Sequence, residues 1–365
     1  MASKSSQPYL GFSTPRKTEH EPVSLALSPA GSADYALARQ SPSRDADAVI
    51  SPWDVVASVL PVYLLILAGA ACRKTGIFRK EHDDGVMRVV YTVMLPCYIL
   101  DKILGSEVLK SGTVVFSSMG LGFGLIIVGV AIGAVVGKII GLERGSGIRT
   151  FALSAGSQNF GFTAAPVVEI LWSTGALAVL FIHNIGVELA LWSVGVMIMS
   201  GERGLHWRKL LNGPVFAVIV GLTLVSLGLD DSFTGPARKA MSMLGLGAFP
   251  VGIFITGCMI MDLIGAEKPS LKIIVASSLV RLMIVPAVFL AVAKYLPLAD
   301  ELRQVIVVQA AMPAAMTPII LARMYGGRPA IAVQIVVFTT ILSLFTLPWI
   351  ITLGCQWIGL KPLLP

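Results

Sequence analysis

The sequence predicts an all-α membrane protein of ten transmembrane helices, arranged as two inverted five-helix repeats whose fourth and ninth helices are broken. Three observations carry that prediction. The composition is 55% hydrophobic and only 13% charged, with a mean hydropathy of +0.81, where soluble domains carry roughly 25% charged residues. Ten apolar runs follow Trp53, most of them close to the length of about 20 residues that spans a bilayer. One half of the chain also slides onto the other. Pro61-Val62-Tyr63 falls on Pro214-Val215-Phe216, Pro96 on Pro250, Arg149 on Arg303 and Pro166 on Pro318, at offsets of 152 to 154 residues. Matches in one order at one offset argue for an internal duplication. Because each copy holds an odd number of spans, the second must enter the bilayer from the opposite face.

Residues 1–50 are a different material: nine serines, five prolines, five basic and five acidic residues, with no apolar run. They read as a disordered tail, and the acids Glu19, Glu21, Asp34, Asp45 and Asp47 speak against a transit peptide. The first repeat, 51–200, holds spans at about 53–72, 87–104, 113–140, 150–172 and 175–200. A connecting loop at 201–210 leads to the second repeat, 211–358, with spans at about 212–229, 241–264, 271–294, 302–325 and 329–352, then a short tail at 359–365. In the third span Gly129, Gly133 and Gly137 recur every fourth residue on one helix face, the pattern of close helix packing. Cys72, Cys97, Cys258 and Cys355 stand singly without a metal-binding spacing and read as small buried hydrophobes.

The net charge of +7 sits between apolar runs and reports topology, so nucleic acid is not an expected partner. Loops after the odd spans carry Arg73, Lys74, Arg79 and Lys80; Lys138, Arg144 and Arg149; Arg203, Arg208 and Lys209; Lys268 and Lys272; Arg323 and Arg328. Loops after the even spans carry only Lys102 and Lys110, then Arg238 and Lys239, then Lys294 and Arg303. The positive-inside rule puts the odd loops in the cytoplasm and both termini outside. The plasma membrane is the expected location.

Polar residues inside spans mark the candidate site. The fourth run holds Ser157, Gln158, Asn159, Gly161, Thr163 and Pro166, which break a helix, and the ninth holds Pro313, Thr317 and Pro318. Backbone groups freed in hydrocarbon must find protein, water or ligand, so a mid-depth break is a candidate binding site. Asn159 offers two donors and an acceptor, and half-helix N-termini carry about half a positive charge, which suits a carboxylate. The substrate-binding candidates are therefore Asn159, Gln158, Gly161, Thr163, Pro166, Pro313, Thr317 and Pro318. A charge at the bilayer centre costs roughly 2.5–3.5 kcal/mol, which singles out Glu188, with His183 and Asn184 beside it, and Arg281. Two readings stand: a buried Glu188–Arg281 pair, or a protonation site at Glu188 or His183 with Arg281 attracting an anion. Glu169 faces either a cavity or the interface, and Asp101 and Asp262 are expected to be solvated at span ends. No HExxH and no Ser/His/Asp set is present, so an enzyme is not expected, nor a cofactor or metal.

Several motifs resemble one family. L-P-C-Y-I-L from Leu95 to Leu100, N-x-G-F-x-x-x-P from Asn159 to Pro166, A-F-P-V from Ala248 to Val251, R-L-x-x-x-P from Arg281 to Pro286, and L-A-R-x-Y-G-G ending at Gly327 are similar to the auxin efflux carrier family, over about residues 53–355. That family includes plant auxin exporters and bacterial malate or malonate permeases. The resemblance implies a fold like sodium/proton antiporters and bile-acid symporters, with spans 4 and 9 crossing at their prolines. It further implies a scaffold of spans 1, 2, 6 and 7, and an elevator-like transport domain of spans 3–5 and 8–10. Asn159 and the backbone around Pro166 and Pro318 would then hold a substrate carboxylate. The family pattern has an asparagine near Thr317 and an acid near Asn184; this chain has neither, although Glu188 lies one turn on. The expected cargo is a small organic anion, a mono- or dicarboxylate, with proton or sodium as coupling ion and a homodimer in the lipid bilayer as the assembly. The alternatives are a cation/proton antiporter using Glu188, or a non-transporting receptor.

Overall fold

Helix α1, Pro52–Lys74, starts where the chain can satisfy its own free amides. The Ser51 hydroxyl accepts from the Trp53 N–H at 3.2 Å, and the Asp54 carboxylate accepts from the Ser51 N–H at 3.3 Å, a reciprocal cap. The computed structural model describes residues 51–143, 145, 147–201, 212–230, 233–265 and 269–362. The tail at 1–50, nearly all of the loop at 201–210 with Arg203, Arg208 and Lys209, and the loop cations Arg144 and Lys268 lie outside the described residues.

After α1 come α2 (Asp83–Val89), a π turn at Val90–Met94 and α3 (Leu95–Ile103). The turn has a local cause. Pro96 has no N–H to give, and its ring crowds the carbonyl four residues back, so the ladder widens before it. Next are α4 (Gly112–Ile139), α5 (Ile148–Gly156), α6 (Ala164–Leu171) and α7 (Thr174–Ser200), the last with a π turn at Leu191–Gly195. The second half runs through α8 (Gly213–Ser226), α9 (Gly235–Leu246), α10 (Ala248–Leu263) and α11 (Leu271–Tyr295). A π turn at Val280–Ile284 in α11 again precedes a proline, Pro286. Then α12 (Asp300–Ala311), α13 (Thr317–Met324) and α14 (Pro329–Ile358) complete the chain.

Six helices among the described residues are long and apolar enough to cross a membrane: Pro52–Lys74, Gly112–Ile139, Thr174–Ser200, Gly235–Leu263, Leu271–Tyr295 and Pro329–Ile358. The other four apolar runs differ for visible reasons. Those at 150–172 and 302–325 are each split into two short helices, α5 with α6 and α12 with α13; that at 87–104 is divided by the Val90–Met94 turn, and α8 has only 14 residues.

Packing is closest within two sets of helices, which also touch each other, α1 against α6 and α14, and α3 against α7. In one, α1 lies along α10, while α3 packs against α8 and α9. In the other, α4 packs on α5 and α7, and α14 gathers α11 and α12. The glycine face of α4 explains how closely its neighbour approaches. Gly133 lies against the Ala152 backbone, Gly137 against the side chains of Ile148 and Phe151, and Gly129 meets Gly156 backbone to backbone, where any Cβ would overlap a carbonyl. Cys258 and Cys355 are buried and all four cysteines are free.

Two expectations are corrected. Asp101 and Asp262 are not simply solvated: Asp101 accepts from Arg238 at 3.4 Å, and Asp262 lies 3.1 Å from Arg73, which also holds Asp83 at 2.6 Å. Each arginine ties helix ends that are distant in sequence, so the acids neutralise a neighbour that the sequence alone does not place beside them.

Candidate functional site

Helix α5 stops at Gly156 because Ser157 turns extended, with φ −98° and ψ 127°. Helix α12 stops at Ala311, where Met312 turns extended at φ −69° and ψ 143° and Pro313 follows without an N–H to donate. The two extended segments lie antiparallel and pair. The Asn159 N–H donates to the Pro313 carbonyl at 2.7 Å, the Ala315 N–H donates to the Ser157 carbonyl at 3.0 Å, and Gln158 stands opposite Ala314. The Ala314 N–H donates to the Thr339 hydroxyl of α14 at 3.2 Å. This changes one expectation, that the interrupted helices leave their peptide groups open for a ligand. Much of the backbone at the crossing is satisfied by the other break, as burial in hydrocarbon demands.

The ends of the first half-helices need a positive partner, because unpaired carbonyls there carry the negative end of the dipole. Arg281 supplies it. It is fully buried, its Nη1 donating to the Gly156 carbonyl at 3.4 Å and its Nη2 to the Ala310 carbonyl at 3.3 Å. Its guanidinium also lies 5.5 Å from the centre of the Phe289 ring. The anticipated Glu188–Arg281 pair is therefore not formed. Glu188 instead accepts from the Asn212 amide at 2.6 Å. Two converging helix ends serve as the arginine's counter-charge, which frees the acid to take a different partner.

Around the first break, Asn159 is half-buried and its amide donates to the Thr163 hydroxyl at 3.1 Å. Among the described residues the N–H groups of Gly161 and Phe162 have no protein partner. Gln158 is fully enclosed, and neither atom of its amide group has a hydrogen-bond partner, so its side chain faces no open space and its part in the site is the backbone bridge. Pro166 lies in the first turn of α6, and Thr317 and Pro318 open α13. His183 is fully buried on α7 and neither of its ring nitrogens has a hydrogen-bond partner among the described residues, so it is remote from open space.

Asn184 belongs to a relay. Its amide donates to the Phe160 carbonyl at 2.9 Å and its carbonyl oxygen accepts from the Gln309 amide at 3.2 Å. The relay ties α7, α12 and the first break together. Gln309 and Thr339 were not anticipated as site residues. The available signal was an uncharged polar side chain within an apolar run, weaker than a charge and shared by many packing residues.

Glu169, near the end of α6, accepts from the Tyr98 hydroxyl and from Lys102 at 2.8 Å, and Lys102 lies over the Tyr98 ring. Two open clefts lie elsewhere. One, of about 700 Å³, is bounded by Lys138, Leu142, Arg149 and Met197, and the other, of about 310 Å³, by Asp101, Ser106, Thr174 and Arg238. Neither reaches Asn159.

Among the described residues, helices dominate, six of them long and apolar enough to cross a bilayer, with a polar helix crossing buried among them, which makes this a multi-pass integral membrane protein. The profile of membrane transport proteins matches residues 54–206 and 202–351, and the chain belongs to that family, the auxin efflux carrier family. It is a family of transporters, not of enzymes. Over 162 residues the chain is 31% identical to auxin efflux carrier component 3a of Oryza sativa subsp. japonica, a match covering 40% of this chain and 25% of the relative. Over 157 residues it is 30% identical to auxin efflux carrier component 7 of Arabidopsis thaliana, covering 40% and 25%. An uncharacterized transporter of Methanothermobacter thermautotrophicus is 25% identical over 310 residues, which is 81% of this chain and 97% of that protein. The chain thus spans about a quarter of the length of the plant relatives it matches.

Proposed function

We propose that this protein is a secondary carrier of small organic anions, mono- or dicarboxylates, working by alternating access. In this reading ten spans form two inverted repeats, 51–200 and 211–358, and the bundle of α4–α7 with α11–α14 moves in an elevator-like way against α1–α3 with α8–α10. The observation that carries the proposal is the antiparallel pairing of the two breaks at Gln158 and Ala314, with the Asn159 amide and the N–H groups of Gly161 and Phe162 beside it. These are donors without a local anion, next to the N-terminus of α6, and they suit a carboxylate. Equivalent breaks in the two halves also support the repeat: α6 begins at Ala164 and α13 at Thr317, within the offset that aligns Pro166 with Pro318. A homodimer, a plasma-membrane location with both termini outside, and coupling to proton or sodium belong to the same reading. The malate and malonate permeases of the resembling family, and the auxin in the names of the plant relatives, point to organic acids as the first cargo to try.

The test is uptake of radiolabelled organic acids by reconstituted protein, with and without a pH gradient. Asn159→Ala is expected to abolish uptake while the melting temperature holds, and unchanged uptake in that variant would remove the site. A second reading, cation/proton antiport, draws on Glu188, a half-buried acid whose hydrogen-bond partner among the described residues is the uncharged amide of Asn212. Cation-driven proton movement with no acid present would select it.

A further inference from the structure

The larger of the two clefts, of about 700 Å³, lies apart from the crossing, where α4 ends and α5 begins. Leu142, Ile148 and Met197 form its apolar wall, and Lys138, Glu143 and Arg149 are its charged groups. Arg149 is held in place there: its Nη1 donates at 3.0 Å to the carbonyl of Met199, in the last turn of α7. That carbonyl is one of those a helix end leaves without an internal partner, so the guanidinium closes α7 and stays at the cleft. Its other N–H groups have no protein partner among the described residues.

Two more cations border the same turn. Lys272 reaches Gly141, and the Arg328 side chain packs on Gly147. Among the described residues none of Lys138, Arg149, Lys272 and Arg328 forms an ion pair, and Glu143 is the one acid on the cleft wall. The other end of α4 is different. There Lys102 holds Glu169, Lys110 holds Glu107, Arg238 holds Asp101 and Arg303 holds Asp300. Water satisfies a lone surface lysine, but several cations around one acid raise the local potential and draw in an anion.

The neighbouring surface decides which anion. On α4, Val128, Val135 and Ile139 are exposed and recur at intervals of seven and four, a single stripe that runs up to Lys138. Hydrocarbon laid on that stripe would end at the cations. A soluble anion would use the charges and leave the apolar surface bare.

We infer that this cleft binds an anionic phospholipid, its phosphate held by Arg149 and Lys138 and an acyl chain lying along the stripe on α4. Arginine offers a planar fork that matches two phosphate oxygens, and lysine places a charge at the end of an apolar stem. Basic pockets between spans at the membrane surface take such headgroups. In the orientation proposed above the cleft meets the cytoplasmic leaflet, where anionic lipids concentrate. A lipid seated there touches the ends of α4, α5 and α7 together.

The experiment is native mass spectrometry of the full chain in detergent, titrated with dioleoylphosphatidylglycerol, with dioleoylphosphatidylcholine, and with glycerol 3-phosphate, which carries the phosphate without the chains. Wild-type protein is expected to hold the glycerol lipid about tenfold more tightly than the choline lipid. Lys138→Gln and Arg149→Gln should each weaken it by about fivefold, the weight of one cation near an anionic surface, and leave the choline lipid unchanged. Lys74→Gln removes the same charge from the exposed last turn of α1, outside the cleft, and should change neither. Arg149→Gln also loses the Met199 contact, so Lys138→Gln, at an exposed position, carries the test if the arginine variant fails to fold. Equal retention of the two lipids by wild-type protein overturns the inference, as does undiminished binding in Lys138→Gln. An equal loss in Lys74→Gln overturns it too, by making the attraction a diffuse one. Displacement of the lipid by glycerol 3-phosphate at matched concentration would make the cleft a site for a free phosphate and overturn the assignment to lipid.

Discussion

The crossing of the two breaks and the seam between the two helix groups are held by opposite kinds of contact. At the crossing, backbone meets backbone. Ser157 and Asn159 pair with Pro313 and Ala315, Arg281 bridges the ends of α5 and α12, and Gly129 lets α4 touch Gly156. At the seam, side chains meet side chains: Glu169 with Tyr98 and Lys102, Glu188 with Asn212, Phe162 with Tyr91 and Phe249. Backbone pairing and glycine packing have one geometry and tolerate little displacement. Side-chain contacts can be exchanged for others by a change of rotamer. The difference orders what substitution should do in each region.

The largest effect is expected at Arg281. Arg281→Met removes the donor from two buried carbonyls, each costing about 1–3 kcal/mol when left unsatisfied. A drop in thermal stability in detergent is expected, with loss of any uptake; Arg281→Lys reaches one carbonyl at best and should fall between. Wild-type stability in the methionine variant would mean that the half-helix ends need no counter-charge. Next comes Gly129→Val, which forces a branched side chain into the α4–α5 contact. Overpacking of this kind costs about 1–3 kcal/mol, and the melting temperature should fall, in contrast to the equivalent change at the exposed Gly120, where a Cβ meets nothing.

The smallest effect on stability is expected at the seam. Lys102→Met removes one arm of the Glu169 contact, whose carboxylate is 40% exposed, and partly exposed ion pairs contribute about 0–1 kcal/mol. Stability should hardly move, whereas uptake rate should change if the contact breaks and re-forms in each cycle. A variant with lowered stability and unaltered rate would assign Lys102 to the rigid part of the protein, and the comparison would have to be redrawn.

The sequence was read from composition, breakers and repeats, and its success follows the range of those signals. Helix interruption is local: Gly, Ser and Pro in an apolar run stop a helix wherever it lies, so the stops at Gly156 and Ala311 fall within the runs that looked broken. The glycine face of α4 is local too, since spacing alone puts Gly129, Gly133 and Gly137 on one side. Partner identity is not local. Arg281 and Glu188 look like complementary charges in a list of residues, yet each has a different partner, because the dipole of a helix end has no letter in the sequence. Gln309 and Thr339 escaped notice for the same reason: their roles depend on Asn184 and Ala314 being brought to them.

What the sequence by itself determined is the medium and the breaks: an apolar, charge-poor chain that partitions into a bilayer and cannot remain helical through Asn159 or Pro313. What only the tertiary structure decided is how the exposed peptide groups are answered, by each other and by one buried arginine. Hydrocarbon requires that such groups be satisfied, but it does not say by whom; that depends on which segments the packed helices bring within hydrogen-bonding distance.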